Sequence, residues 1–323
     1  AMTPFLRAPL ALFLAAFAAG ALAQAGAYPN RPIRLIAPHA PGGTVDIMAR
    51  QIAPRLSEAW NQQVVIENRV GASGTIGSEL VARSAPDGYT ALINASIFAI
   101  TPHVLKLNYD VARDFAHVVH LYNVPNVFTV HAGVAAQDVR GFVALAKKEK
   151  LSYATAGAGS AAHLAAEYFK RLAGIADFPH IPYKGSGQAL VDVIAGQVPA
   201  MFDSMTSSLP HIRGGRLRAL AVTSPQRSPL LPDVQTFAEA GFPGLTGVGS
   251  WYGIWLPAGT PQPIIAKWHA EVTRILALPE LRERIRDQAG EPQPMSSDQF
   301  ADWMKAEVAR WADLVKLSGA RNE

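Results

Sequence analysis

Hydrophobic and polar positions along this chain switch between two periods. Short apolar runs predict strands over Ile33 to Ala37, Val64 to Glu67, Tyr89 to Ile93, Leu151 to Thr155, His180 to Tyr183, Ala200 to Phe202, Leu217 to Thr223 and Ser250 to Leu256. Between them, apolar residues recur at helical spacing. Ile47, Ile52, Leu56 and Ala59 stripe a first helix, 47–60. Further helices are predicted from Thr75 to about Ser84, from Ala161 to Leu172 before Gly174, and after Thr260-Pro261 with Ile264, Trp268, Val272 and Ile275 on one face. The last is the clearest: Ser296 and Gln299 form a capping box, Phe300, Trp303, Met304, Trp311 and Leu314 make the stripe, and Gly319 ends it. Strands alternating with helices predict an α/β architecture. The long β-rich stretch Val118 to Val130 is broken by Pro125, which marks an edge or a crossover between domains, and Ser250 to Leu256 is the candidate return crossover.

The first residues read differently. Arg7, the apolar run Leu10 to Leu22 and the small-x-small step Ala21-Leu22-Ala23 predict a secretory signal peptide, residues 1–23, cut after Ala23. The apolar run is shorter than the roughly 20 residues of a membrane span. An exported protein follows. About 300 residues remain, more than one core usually organises, so two domains are expected. The chain has no cysteine, which excludes disulfides, thiolate metal sites and a cysteine nucleophile. Its net charge of +4 is mild and interspersed, which argues against nucleic acid and suits small anions.

Four strand ends run into glycine- or hydroxyl-rich helix starts: Pro41 to Thr44, Gly71 to Gly77, Asn94 to Ser96, and Ala156 to Ser160. Helix starts carry unpaired N–H groups and partial positive charge, and ligands of open α/β sheets sit outside the carboxyl ends of the strands. In the first loop, Gly42 and Gly43 allow a sharp turn and close approach, with Thr44 as the expected N-cap. Three loops fall in the first half and one in the second, so together they predict a small-anion cleft. The scattered histidines lack metal-ligand spacing, and His163 falls on a polar face with Glu167, Lys170 and Arg171, which predicts a solvated ring. Lys184, before Gly185-Ser-Gly187, lacks the P-loop frame. Asp203 either accepts from a ligand or caps Ser204 and its neighbours. One competing reading is enzymatic. Gly157 to Ala162 matches G-x-G-x-x-A, which would make the protein an exported nucleotide-dependent enzyme, but Asp177, at the spacing of the acidic partner, precedes the next strand.

Taken together, Pro38 to Asp46, Glu67 to Gly74, Ala85 to Thr90, Gly157 to Leu164, Pro182 to Gly185, Met201 to Asp203 and Leu217 to Gly241 resemble the solute receptors of tripartite tricarboxylate transporters, the TctC or Bug family. The resemblance covers nearly all of the chain after Ala23. It implies a two-lobed Venus-flytrap fold of the type II-like class, each lobe a mainly parallel sheet flanked by helices. Lobe 1 would be 28–124 plus 247–323, and lobe 2 would be 125–246. It implies a periplasmic receptor, not an enzyme, without cofactor or metal, that holds a small organic carboxylate between its lobes. The implied partners are the membrane subunits of such a transporter, with a sensor kinase as a second possible destination, and the implied state is a monomer. Carried over by position, the contacts are Gly42, Gly43, Thr44, Ala72, Ser73 and Ser96 from lobe 1, and Gly157, Gly159, Ser160 and Asp203 from lobe 2. Asp46 matches an acidic position expected to steady its helix start, since a second negative charge would repel the ligand. His39 departs from the aromatic or aliphatic residue expected there.

Overall fold

The structure, a computed structural model, describes residues 28–320. The expected signal peptide, 1–23, lies outside the described residues. The chain runs β1 (Ile33–Ala37), α1 (Thr44–Trp60), β2 (Val64–Asn68), α2 (Thr75–Ala82), β3 (Thr90–Ala95), α3 (Ile97–Ile100) and β4 (Phe115–Val124). It continues through β5 (Asn126–His131), α4 (Val139–Ala146), β6 (Tyr153–Thr155), α5 (Ala161–Ala173), β7 (His180–Pro182), α6 (Ser186–Ile194), β8 (Ala200–Ser204), α7 (Met205–Arg213) and β9 (Leu217–Val222). It closes with β10 (Ser250–Pro257), α8 (Gln262–Leu276), α9 (Pro279–Asp287) and α10 (Ser297–Ser318). No helix among the described residues is long and apolar enough to cross a membrane.

Two five-stranded sheets result, ordered β2-β1-β3-β10-β4 and β7-β6-β8-β5-β9. The two-lobed α/β fold is as the resemblance implies, and in each sheet four of the five strands point the same way, with one reversed strand making the sheet mixed. In each, the first three strands are parallel and the fourth is antiparallel to both neighbours. The reason is connectivity. The fourth strand, β10 in one sheet and β5 in the other, has just arrived from the opposite lobe. It starts at the hinge and runs away from it, whereas β1, β3, β6 and β8 run towards the cleft.

Pro125 alone separates β4 from β5, so the break in the β-rich stretch is a passage between sheets. The return passage lies beside it. Asn126 ties the two together: its N–H donates to Thr223 Oγ1 (2.9 Å), its Nδ2 to Val248 O (3.0 Å), and its Oδ1 accepts from Ser250 Oγ (3.1 Å). A fully buried residue with two side-chain bonds and one backbone bond fixes where the hinge strands cross.

Apolar faces explain the packing. One cluster joins Met48, Ile52 and Leu56 of α1 to Ile33 and Leu35 of β1 and to Trp268, Val272 and Ile275 of α8. A second contains Phe128 and Phe202 from the second sheet and Phe169 of α5, and continues without a break into Trp251, Trp255, Phe300 and Trp311. The continuity comes from α10, which packs on β4 and α3 on one side and on α5 on the other. Its capping box forms as the sequence predicts, and Gly319 takes the left-handed conformation that ends it. Buried Glu307 accepts from the indole N–H of Trp251 (2.7 Å) and Trp311 (2.9 Å) and pairs with Arg310. Arg171 of α5 reaches Leu317 O at 3.0 Å. Each large apolar side chain buried this way contributes about 1.5–3 kcal/mol.

Candidate functional site

At the end of β1 the chain turns through Pro38 to Gly43 before α1. Gly42 has φ +79°, a conformation that disfavours any side chain, whereas Gly43 is extended (φ −80°) and is itself the N-cap. Thr44 is therefore not the cap. It is the first helical residue, and its Oγ1 donates to Ser207 Oγ of α7 across the cleft at 3.1 Å. Asp46 lies behind the turn. Its Oδ2 accepts from Gly42 N–H (3.0 Å) and Arg50 Nε (2.8 Å), and its Oδ1 from Asn68 Nδ2 (3.1 Å). Burial raises this carboxyl, but the bonds from Arg50, Gly42 and Asn68 outweigh it and hold the group below its ordinary range.

The second lobe offers Gly157 to Ser160 before α5. Ser160 is the N-cap, accepting from His163 N–H at 3.1 Å, which leaves its own hydroxyl proton free to donate. His163 is not solvated: it is 2% exposed, and its Nδ1 accepts from Gly159 N–H at 3.1 Å. Its ring stacks on His180, 4.1 Å between centroids, and His180 Nε2 lies 2.7 Å from Thr155 Oγ1. Burial lowers His163 to about 4, and burial with the neighbouring His163 and Lys170 lowers His180 to about 2, so both rings are neutral.

Asp203, inside β8, has its oxygens engaged from within the lobe. Ser186 donates to Oδ1, and Ser207 (2.6 Å) and Ser208 (2.7 Å) donate to Oδ2. Burial raises its pKa against these bonds. The carboxylate thereby ties the Gly185–Gly187 turn to the start of α7.

That turn is what the two lobes close upon. Ala40 N–H donates to Lys184 O across the cleft at 2.8 Å. A Cβ on Gly187 would stand 2.0 Å from the Pro41 carbonyl oxygen, and one on Gly185 2.7 Å from Ala40 N. Between the lobes is a cavity of about 50 Å³. On this measure it has room for roughly three to five water molecules. Of the residues expected from sequence, Gly43, Thr44, Ser96, Ser160 and Asp203 line it. Gly42, Ala72, Ser73, Gly157 and Gly159 do not. Ala72 is exposed, and the other four stand in the seam beside the cavity: a Cβ on Gly42 would lie 3.9 Å from Gly187 Cα, one on Gly157 3.2 Å from Ser73 Oγ, and one on Gly159 2.6 Å from Val104. The G-x-G-x-x-A loop is thus packed against the first lobe.

The rest of the wall is His39, Val45, Ala95, Ile97, Ala156, Ala161, Ala162, Gly185, Ser186, Ser204, Ser250 and Tyr252, with no lysine or arginine. Gly185 and Ser186 had a legible signal, glycine and hydroxyl after a strand, of the same kind as the other four loops. Tyr252 and Ser250 had none, because they belong to the returning strand. Burial pushes the Tyr252 hydroxyl, close to Ser204, Thr44 and Ser250, up to about 12. Among the described residues no cluster of three His, Asp or Glu side chains could hold a metal.

The profile described as "Tripartite tricarboxylate transporter family receptor", TctC, matches residues 48–320. The chain belongs to that family. A TctC relative, protein BugT of Bordetella pertussis (strain Tohama I), is 35% identical over 321 residues, covering 98% of each chain. The solved structure of R. palustris Rpa4515 with adipate superposes with a TM-score of 0.87 at 34% identity, covering 91% of this chain and 99% of the other. That of MatC from Rhodopseudomonas palustris, with bound malate, gives 0.83 at 33% identity, covering 89% and 100%. This TctC receptor shares their two-lobed arrangement.

Proposed function

We propose that this receptor captures a small organic carboxylate between its lobes in the periplasm and delivers it to the membrane subunits of a tripartite tricarboxylate-type transporter. The carrying observation is the wall of the cavity. The starts of α1 and α5 face it from opposite lobes, with Ser96, Ser160 and Ser204 hydroxyls between them and no lysine or arginine. Such a wall holds an anion by dipoles and hydrogen bonds. The adipate and malate seen in relatives agree with it.

The site performs no chemistry in this reading. The partner of Ser160 Oγ is the backbone N–H of His163, not its ring, so no base activates the hydroxyl. The lobes divide as 28–124 plus 247–323 and 125–246, a division that sheet membership supports. Ligand binding draws the lobes together around Asn126 and Pro125, because only the shut form presents both helix starts at once.

A thermal-shift screen of mono-, di- and tricarboxylates tests the reading. A ligand at 100 times its dissociation constant stabilises by about 2.7 kcal/mol. No shift with any carboxylate would overturn it. Export is tested by intact mass: the periplasmic protein should begin at Gln24.

A further inference from the structure

His39 stands where an aromatic or aliphatic side chain is expected, and it lines the cavity, 6% exposed. Its tautomer follows from a chain of hydrogen bonds. Ser78 Oγ donates its only proton to Gly74 O (2.9 Å), so towards Asn94 it can only accept, and Asn94 Nδ2 donates to it at 3.2 Å. Asn94 Oδ1 therefore faces the other way, where it accepts Ala95 N–H at 2.8 Å. It also meets His39 Nε2 at 3.0 Å, so Nε2 must carry the proton. Burial lowers the pKa of the ring, against the smaller effect of the Asn94 bond, and so favours the neutral ring. Nδ1 is then a bare lone pair, and it has no partner among the described residues.

The rest of the wall is rich in donors: the helix starts, the free proton of Ser160, and Ser204 Oγ, which is buried without a well-formed hydrogen bond. A plain carboxylate satisfies donors and leaves Nδ1 unpaired. Resting on the receptor reading above, we propose that His39 Nδ1 accepts a ligand hydroxyl proton and makes the site selective for a small hydroxycarboxylate. An ammonium group would also donate, but it needs several acceptors, and Asp203 is already occupied by three serine hydroxyls.

Matched pairs test it by calorimetry: malate against succinate and lactate against propionate, with aspartate and alanine as the amino analogues. A buried acceptor left unpaired costs about 1–3 kcal/mol, so the hydroxy acid should bind about ten- to a hundredfold tighter than its deoxy partner. His39→Phe should erase that ratio. His39→Gln, which offers both a donor for Asn94 and an acceptor for the ligand, should retain part of it, and it carries the test if the Phe variant does not melt cooperatively. Four results would each overturn the proposal: equal binding of both partners by the wild type, the ratio surviving in a folded His39→Phe, tighter binding of the amino analogue, or uptake of one proton per site with the deoxy acid in buffers of different ionisation enthalpy. The last would mean a charged ring donating to carboxylate. Failure of every acid in all three series would instead remove the receptor reading, and this proposal with it.

Discussion

In the first lobe the turn before α1 is held by a carboxylate, that of Asp46 on Gly42 N–H. In the second lobe the turn before α5 is held by a neutral imidazole, that of His163 on Gly159 N–H. Both acceptors sit four residues beyond the amide they hold, and both fix a glycine turn that precedes a helix start. Their electrostatics differ. Asp46 places negative charge behind the first turn, and Arg50, Asn68 and Gly42 N–H share it out. His163 places none behind the second, so the partial positive charge at the start of α5 acts on an anion undiminished. The same local shape is reached by two chemistries, and they should respond differently to substitution and to acid.

The largest effect is expected at the seam. Gly187→Ala would put a Cβ 2.0 Å from the Pro41 carbonyl, backbone against backbone, so the lobes cannot meet. Affinity should fall roughly a hundredfold or more. Melting of the unliganded protein should change little, and small-angle scattering should show no ligand-induced compaction. Wild-type affinity in Gly187→Ala would break the assignment of this turn to closure.

Ser160→Ala comes next. It removes the α5 cap, worth about 1 kcal/mol, and a donor to a charged ligand. Loss of such a donor is worth about 1.5–3 kcal/mol, or ten- to a hundredfold in affinity. Titration calorimetry and a denaturant melt separate the two effects. The matching change in the first lobe, Gly43→Ala, should be milder. Its Cβ would meet Ala40 O, Gly187 N and Ser186 N at 3.5 Å, ordinary contact, and the residue already has a negative φ. Less than about tenfold loss is expected. A greater loss than in Gly187→Ala would reverse the ranking of the two lobes.

Acid sharpens the contrast more gently. His163 and His180 stay neutral in the fold to about 4 and about 2, while in the unfolded chain they take protons near 6.5. The unfolded state then binds more protons, so stability falls as the pH drops from about 6.5 towards 4. Asp46 is depressed in the fold, so its contribution is full above its unfolded value of 3.8 and is lost only below it. In a ¹H–¹⁵N titration the Gly159 amide should therefore move before that of Gly42. Movement of Gly42 first would contradict the assignment.

Much of this was legible in the chain. Glycine and hydroxyl residues at the ends of apolar runs carry their own backbone demands, so the loops at Gly43, Ser96 and Ser160 could be placed before any fold was known. Pro125 marked a passage because it cannot donate to a ladder. The position of His163 was not legible. Its spacing to Glu167 and Lys170 is that of a solvated face, and the ring of His180, on β7, stacks on it. Sheet direction was equally hidden, since an apolar run reads alike whichever way the strand points. The seam partners Gly157 and Ser73 lie far apart in sequence, and no local pattern distinguishes a glycine that meets a ligand from one that meets the other lobe.

At the turn before α6 the contacts between the halves are main chain: Ala40 N–H on Lys184 O, Gly187 against the Pro41 carbonyl. Main-chain groups are the same whatever residue they belong to. Val45, Ile97 and Ser204 stand beside that seam on the cavity wall. Exchanging them alters the interior without altering how the halves shut, so a lineage built on this scaffold can change its cargo by point substitution while its gate stays as it is.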